Sequence, residues 1–216
     1  MNVEIWSDIA CPWCYVGKHR FQRALEGFEH RDQVDVTWRA FELDPSAPPE
    51  RPGTHRDLLA SKYGRTADEA QAMLDQMTAM GAAEGLDLRF DRVRSGNTFD
   101  AHRVVHLAAF HGAQDAMQER LMRAYLTEGE LMSDHDALTR LAAEVGLPAP
   151  EVEALLAGDR FAAEVRAEQE LAHGFGITAV PFFVVERTLG GAGAQPAEAF
   201  AELLAQSWER TQAQPA

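Results

Sequence analysis

Cys11 and Cys14 are the two cysteines of this 216-residue chain, and they stand three residues apart in the run Cys11-Pro12-Trp13-Cys14. Thiols at i and i+3 at the start of a helix can close a disulfide across its first turn. The attacking species in disulfide exchange is a thiolate, and a free thiol titrates near ~8.5. Unpaired N–H groups and the macrodipole at a helix N-terminus favour an anion. In C-x-x-C motifs the first thiol therefore falls to roughly 3.5–7. This spacing makes Cys11 the nucleophile. Cys14, one turn further in, is the thiol that resolves the mixed disulfide. Pro12 suits a first helical turn, where a missing N–H costs nothing. Trp13 brings a ring that can shield the pair and touch substrate.

The pair alone is compatible with two other readings. It could be half of a zinc site, which needs two further ligands. With no second C-x-x-C in the sequence, histidines would have to supply them. It could also be two inert buried thiols, since cysteine packs as a small hydrophobe. The order strand, Cys, Pro, Cys, helix favours redox chemistry. His102 and His106 are spaced i, i+4 on an expected helix, but no third ligand follows at a recognisable spacing, so no metal site is expected. His19 lies two turns into the first helix, too far along to activate Cys11. Arg92 and Arg94 read as a solvated turn.

The elements that must hold the pair are legible around it. Val3–Trp6 is a short apolar run suited to a buried strand, and the pattern turns helical from Tyr15 to Phe28. Val34–Phe41 alternates, with Val34, Val36, Trp38 and Ala40 on one side, as a strand does. Four prolines between Asp44 and Gly53 mark a boundary. A helical block is expected beyond it: Thr66–Gly81, Phe99–Phe110, Ala116–Leu126, a helix capped by Ser133, then Glu151–Leu156 and Phe161–His173. Leu86–Arg94 could be a strand or an extended loop. Val180–Val185 is strongly β-prone, Glu186-Arg187 turns it back into a short strand over Thr188–Gly190, a glycine-rich loop leads to Pro196, and Ala197–Trp208 is helical. The ends thus read β-α-β and β-β-α, the two halves of a thioredoxin-like α/β fold. The expected division is a thioredoxin-like domain from residues 1–45 and 176–216, with a large helical insertion over 46–175. Pro181 falls where proline is tolerated, at the first residue of a strand. If the Val180–Pro181 bond is cis, the backbone there can face Cys11 and pair with an extended substrate; if trans, it simply starts the strand.

With 20 basic against 34 acidic residues and a net charge of −14, the chain has no electrostatic footprint for nucleic acid or an anionic membrane. No run approaches the ~18 apolar residues of a membrane span, and the first residues lack a basic stretch followed by an apolar one. The expectation is a cytoplasmic protein with neither nucleic-acid nor membrane partners. Two cysteines are too few for a disulfide-stapled secreted scaffold.

Three stretches carry a resemblance: residues 5–21 (IWSDIACPWCYVGKHRF), 95–108 (SGNTFDAHRVVHLA) and 177–196 (ITAVPFFVVERTLGGAGAQP). They resemble the DsbA-like thioredoxin superfamily, and within it the FrnE-like branch of cytoplasmic members. The resemblance implies a thioredoxin fold with a helical insertion, a redox-active C-x-x-C at Cys11 and Cys14, and a cis-proline at Pro181 beside it. It implies thiol or disulfide proteins and peptides as substrates, glutathione as a redox co-substrate, and no bound cofactor. Asn97, Ala194 and Gln195 become candidate substrate contacts, although Asn97 also suits a cap for a helix starting near Thr98. The same resemblance reaches kappa-class glutathione transferases and 2-hydroxychromene-2-carboxylate isomerases, which carry serine where this chain has Cys11. That makes glutathione-dependent chemistry on a small aromatic or polyketide molecule the alternative. Thioredoxin-like proteins often hold a buried acid six residues before the first cysteine; here that position is Ile5. Asp8 is the nearest acid and is placed with Pro12, Trp13, Val180 and Pro181 among the supporting residues.

Overall fold

The computed structural model describes residues 1–213. Its sheet has the order β2-β1-β3-β4. The inner strand β1 (Asn2–Ser7) is buried at every position after the first, as expected of a strand covered on both faces. It runs parallel to β2 (Asp35–Ala40), with Val3 opposite Val36 and Ile5 opposite Trp38. A parallel pair needs a crossover, and α1 (Pro12–Glu26) supplies it. The strand β3 (Phe182–Val185) returns antiparallel to β1, with Ile5 opposite Phe183, and β4 (Leu189–Ala192) pairs on its far side.

The turn between the last two strands falls on Glu186 and Arg187, at φ 51° and 52°. Two successive left-handed residues make the hairpin turn whose twist suits flanking strands, a place that usually takes Asn or Gly. Side chains offset the strain here. Glu186 Oε1 accepts from the Asn2 N–H at 2.6 Å, and Arg187 donates to Glu4 through Nε and Nη2 at 2.7 and 3.0 Å. The last strand runs from Leu189 to Ala192 rather than over Thr188–Gly190, because Ala192 pairs with Phe182 and carries the ladder to the start of β3.

Helices α1 and α9 (Ala197–Ala213) cover one face of the sheet, where Val3, Ile5, Phe21, Phe183, Phe200 and Leu204 form a core. Between β2 and β3 come α2 (His55–Tyr63), α3 (Ala67–Ala83), α4 (Phe99–Phe110), α5 (Gln114–Arg123) with a π-helical turn over Ala124–Glu128, α6 (His135–Glu144), α7 (Ala149–Ala157) and α8 (Ala162–Gly174). The mixed α/β fold with a helical block between two sheet-forming ends is that of a thioredoxin-like chain with an insertion. Two insertion helices close the outer edge of β2 as a strand would. Gln114 accepts from the Trp38 N–H at 3.1 Å and donates to its carbonyl at 2.9 Å, while Glu168 Oε2 accepts from the Ala40 N–H at 2.7 Å. Satisfied edge groups no longer offer a template for another chain.

One local expectation changes, and two further segments gain detail. Asp134, not Ser133, caps α6, accepting from the N–H groups of Asp136 and Ala137; Ser133 Oγ instead donates to the Pro49 carbonyl at 2.6 Å. Leu86–Arg94 is a loop: Leu86, Leu88, Phe90 and Val93 fill the core, but it joins no strand, and Arg89 N donates to Leu126 O at 2.8 Å. The proline-rich segment is tethered, since Arg51 N donates to Ser95 O at 2.7 Å and Asn97 N to Pro48 O at 3.0 Å. A Cβ at Gly96 would meet Pro49 O at 2.0 Å. Only glycine lets these two segments approach.

Candidate functional site

The cysteine pair sits where β1 hands over to α1. Cys11 is the N-cap, in extended geometry (φ −94°, ψ 110°), and Pro12 opens the helix. The Cys11 carbonyl accepts from the N–H groups of Cys14 at 3.0 Å and Tyr15 at 3.3 Å. Trp13 is 44 % exposed, Cys11 4 % and Cys14 0 %. Cys11 is thus less open than its place at a helix start suggests, because another segment lies across it: its Sγ is 3.7 Å from the Val180 carbonyl. The Val180–Pro181 bond is cis. Cys14 is enclosed. Burial pushes its thiol well above the ordinary range, and the neighbouring Cys11 sulfur adds to this; the Asp8 N–H and the Ser7 hydroxyl pull the other way.

Asp8 is 2 % exposed and acts as a pin. Its carboxylate accepts from Ala10 N at 3.3 Å and from Leu43 N at 2.8 Å, and its carbonyl accepts from Cys11 N at 3.2 Å. The loop before Cys11 is thereby tied to the loop after β2. His102 Nε2 lies 3.4 Å from Asp8 Oδ1, and His106 Nε2 lies 3.1 Å from Glu168 Oε2. The i, i+4 histidines therefore face two different carboxylates rather than one shared point. His19 pairs with Glu119 at 3.3 Å, away from the cysteines.

Ala194 comes close to the motif's helix. Its Cα and Cβ would lie 3.5 Å from a Cβ at Gly17, and Pro181 Cγ only 3.0 Å away. Arg20 Nη1 clasps the same loop by donating to Ala194 O at 2.8 Å. Gln195 turns aside and donates to Ala192 O at 2.7 Å. Asn97 performs the local task first: its Oδ1 accepts from Phe99 N at 2.8 Å at the start of α4. It also lines a cavity of about 510 Å³ together with Glu42, Pro45, Phe99, Arg166 and His173. Glu42 is pushed up by burial and held back by Gln169 Nε2 at 2.8 Å. Asp8, Pro181 and Ala194 thus gather around the cysteine helix, whereas Asn97 belongs to the neighbouring cavity.

Two features escaped the sequence reading. Gly17 is a glycine inside a helix, a costly choice by about 1 kcal/mol against alanine, and that cost is itself the signal of a close neighbour. Ser7 shares its face of β1 with Ile5, two residues earlier, a parity that the alternation of a strand reveals.

The model of the DSBA-like thioredoxin domain matches residues 2–205. The chain belongs to the DsbA-like thioredoxin family. A probable DsbA oxidoreductase of Streptomyces coelicolor is 46 % identical to this DsbA-like chain, with a TM-score of 0.92, over 97 % of this chain and 90 % of that one. A 2-hydroxychromene-2-carboxylate isomerase shares the fold at 13 % identity and a TM-score of 0.73, over all of both chains. The cytosolic disulfide reductase DsbM of Pseudomonas aeruginosa does so at 19 % identity and a TM-score of 0.67, over 95 % of this chain and 98 % of its own, and has also been solved with glutathione. Among the described residues, no helix of the DsbA-like chain is long and apolar enough to cross a membrane.

Proposed function

We propose that the protein exchanges disulfides with thiol proteins or peptides through Cys11 and Cys14. The observation that carries this reading is the asymmetry of the pair: Cys11 caps α1 beside the Val180 carbonyl, and Cys14 is fully enclosed behind it. The Cys11 thiolate attacks one sulfur of a substrate disulfide and displaces the other as a thiolate, leaving a mixed disulfide. Cys14 then attacks the Cys11 sulfur, the second substrate thiol departs, and two electrons have passed to the substrate. Trp13 meets the substrate, and the backbone at Val180–Pro181 supports it. Glutathione serves as redox co-substrate, and the setting is the cytoplasm, where a lone C-x-x-C serves redox rather than structural ends. Residues 1–45 and 176–216 form the exchanging domain and 46–175 its insertion; the last three positions lie outside the described residues. In an insulin-reduction assay driven by dithiothreitol, wild type accelerates precipitation and Cys11→Ser falls to the uncatalysed rate. Equal rates for the two proteins would reject the reading.

Gly17 supplies a second check. Alanine there puts a methyl 3.0 Å from Pro181 Cγ, so the proline loop must give by a few tenths of an ångström. Gly17→Ala is expected to change folding stability by no more than about 1 kcal/mol, the helix gain offsetting the crowding. Insulin reduction drops roughly tenfold, because small displacements of a positioning group are costly. Unchanged turnover would separate Pro181 from substrate positioning.

The cavity lined by Glu42, Phe99, Arg166 and His173, with the fold shared with the isomerase, favours a second reading: glutathione-dependent transfer or isomerisation of a small aromatic or polyketide molecule. That chemistry uses one thiol, so Cys14 would be dispensable to it.

A further inference from the structure

The turn that carries Cys11 holds a charge which its own elements leave unbalanced. Asp8 O accepts from Cys11 N at 3.2 Å, and Asp8 Oδ1 accepts from Ala10 N at 3.3 Å. An aspartate that bonds the N–H two residues on fixes a turn, and such a turn brings its ends within about 7 Å at Cα. The other oxygen, Oδ2, accepts from Leu43 N at 2.8 Å in the loop after β2. In that same loop Glu42 is also buried, and its donors are the amides of Gln169 at 2.8 Å and Asn97 at 3.4 Å. Neutral donors satisfy the oxygens of both carboxylates but leave their charge standing in a dry interior. An uncompensated ion is costly there.

The insertion supplies the missing cation. His102 on α4 is itself buried, and its Nε2 lies 3.4 Å from Asp8 Oδ1, the distance of an ion pair rather than of a good hydrogen bond. That nitrogen makes no hydrogen bond elsewhere among the described residues. Among those residues His102 is also the one basic side chain in ion-pair contact with Asp8. The other charges on α4 look away: Arg103 donates to Asp100 at 2.7 Å, and His106 faces Glu168 at 3.1 Å. The cations of the helices packed against α4 are engaged too. Arg120 of α5 pairs with Glu128 and Glu144, His135 of α6 with Asp100, and Arg166 of α8 lies over the Phe99 ring. Two further titratable groups feel this cluster. Burial pushes Glu42 up while Gln169 and His102 pull it back, and burial pushes Tyr125 up to about 12, which keeps that hydroxyl neutral.

We propose that His102 is a positioning residue for the exchange site: as an imidazolium it pairs with the Asp8 carboxylate, steadies the turn that presents Cys11, and offsets the negative charge that gathers there when Cys11 ionises. This rests on the exchange reading above. His102 acts through Asp8 and keeps its proton throughout, giving none to either sulfur. Without that cation a buried carboxylate in the same turn opposes the thiolate, because a like charge disfavours ionisation. The insertion thereby contributes a charge to a site whose sulfurs both come from the β-α-β end.

The test is the pH profile of Cys11 alkylation by iodoacetamide, followed by intact mass spectrometry in a Cys14→Ser background so that a single thiol reacts. His102→Gln is expected to move the midpoint up by about one pH unit, a tenfold loss of thiolate below the midpoint, while the rate on the alkaline plateau is kept. Adding Asp8→Asn removes the opposing charge as well and brings the midpoint back towards its starting value. An unmoved midpoint in His102→Gln overturns the proposal. So does a uniform loss of rate at every pH, which marks a packing defect, and so does a midpoint that stays raised in the double variant. Thermal unfolding shows which variants are folded. Where they are not, the wild type decides alone: coupling between two sites is reciprocal, so the His102 imidazole, followed by heteronuclear NMR, must titrate at higher pH in the reduced protein than in the oxidised one. Equal midpoints in the two states overturn the proposal. Insulin reduction by wild type tests the exchange reading separately: if reduction is absent while the alkylation midpoint still shifts, that reading fails and the charge coupling of His102 to Cys11 stands.

Discussion

Cys14→Ser is expected to capture substrate and hold it. Cys11 stays at the cap of α1 and can still attack, but the only thiol placed to displace the product has gone. Resolution then depends on an external thiol reaching the sulfur of Cys11, a residue that is 4 % exposed in the free protein. A well-oriented internal nucleophile has an effective concentration of about 10⁵ M or more, against millimolar thiol outside, so turnover falls by at least about a hundredfold. The adduct is directly observable: incubation with oxidised glutathione followed by intact mass spectrometry gives one glutathione per chain in Cys14→Ser. Cys11→Ser should give none, because its remaining thiol is enclosed and held in the neutral form by burial. The experiment also separates the two functional readings. A Cys14→Ser protein that turns over normally and carries no adduct would sink the two-thiol mechanism and leave the one-thiol chemistry of the cavity as the better account.

The cysteine pair and its elements were legible because each rests on local rules. A four-residue motif, an apolar run before it and a 3.6-residue period after it are contained in the first 28 positions. Pro181 was legible through the resemblance carried by residues 177–196. What stayed hidden depends on meetings between segments distant in sequence. Ser7 reads as the polar end of a strand until Gln118, 111 residues away, is seen to donate to it. Gly96 reads as loop until Pro49 is found in the space of its missing Cβ. Leu86, Leu88 and Phe90 alternate as a strand does, but alternation specifies only which side chains are buried; no partner strand was available to pair their backbone. Ser133 lost the cap to Asp134 by one residue; Asp134 accepts from the Asp136 and Ala137 N–H groups, and the Ser133 hydroxyl donates to Pro49 O. Asp8, the nearest acid to the place that Ile5 occupies, spends both carboxylate oxygens on the N–H groups of two loops.

The largest stability loss is expected at Glu168, the point where the insertion grips the sheet. Its side chain is 9 % exposed. It accepts from Arg39 Nη1 at 2.7 Å and from the Ala40 N–H at 2.7 Å, and it faces His106 Nε2 at 3.1 Å. Its own carbonyl accepts from the Trp6 indole at 3.0 Å. Burial pushes this carboxyl up, but His106, the Ala40 N–H and Arg39 together outweigh it and hold the group below the usual carboxylate range. Glu168→Gln replaces an acceptor-only group with an amide whose N–H₂ must face one of three donors. A broken buried ion pair costs about 3 kcal/mol or somewhat more. For a chain of this length that lowers the unfolding midpoint by roughly 10 °C. The sign of the pH dependence follows from the lowered pKa. The carboxylate contributes its stability above the unfolded value of about 4.3 and loses it as pH falls through the folded value. Wild type and Glu168→Gln should therefore differ most at neutral pH and converge as pH falls through the folded value, as checked by urea unfolding over a descending pH series. A gap of constant size would remove the ionised form of Glu168 from the explanation and leave only its shape. Glu168 makes no contact with either sulfur among those described, so the variant should keep near-normal insulin reduction at 25 °C. That combination of lost stability and retained exchange is what a joint between the two parts of the fold requires.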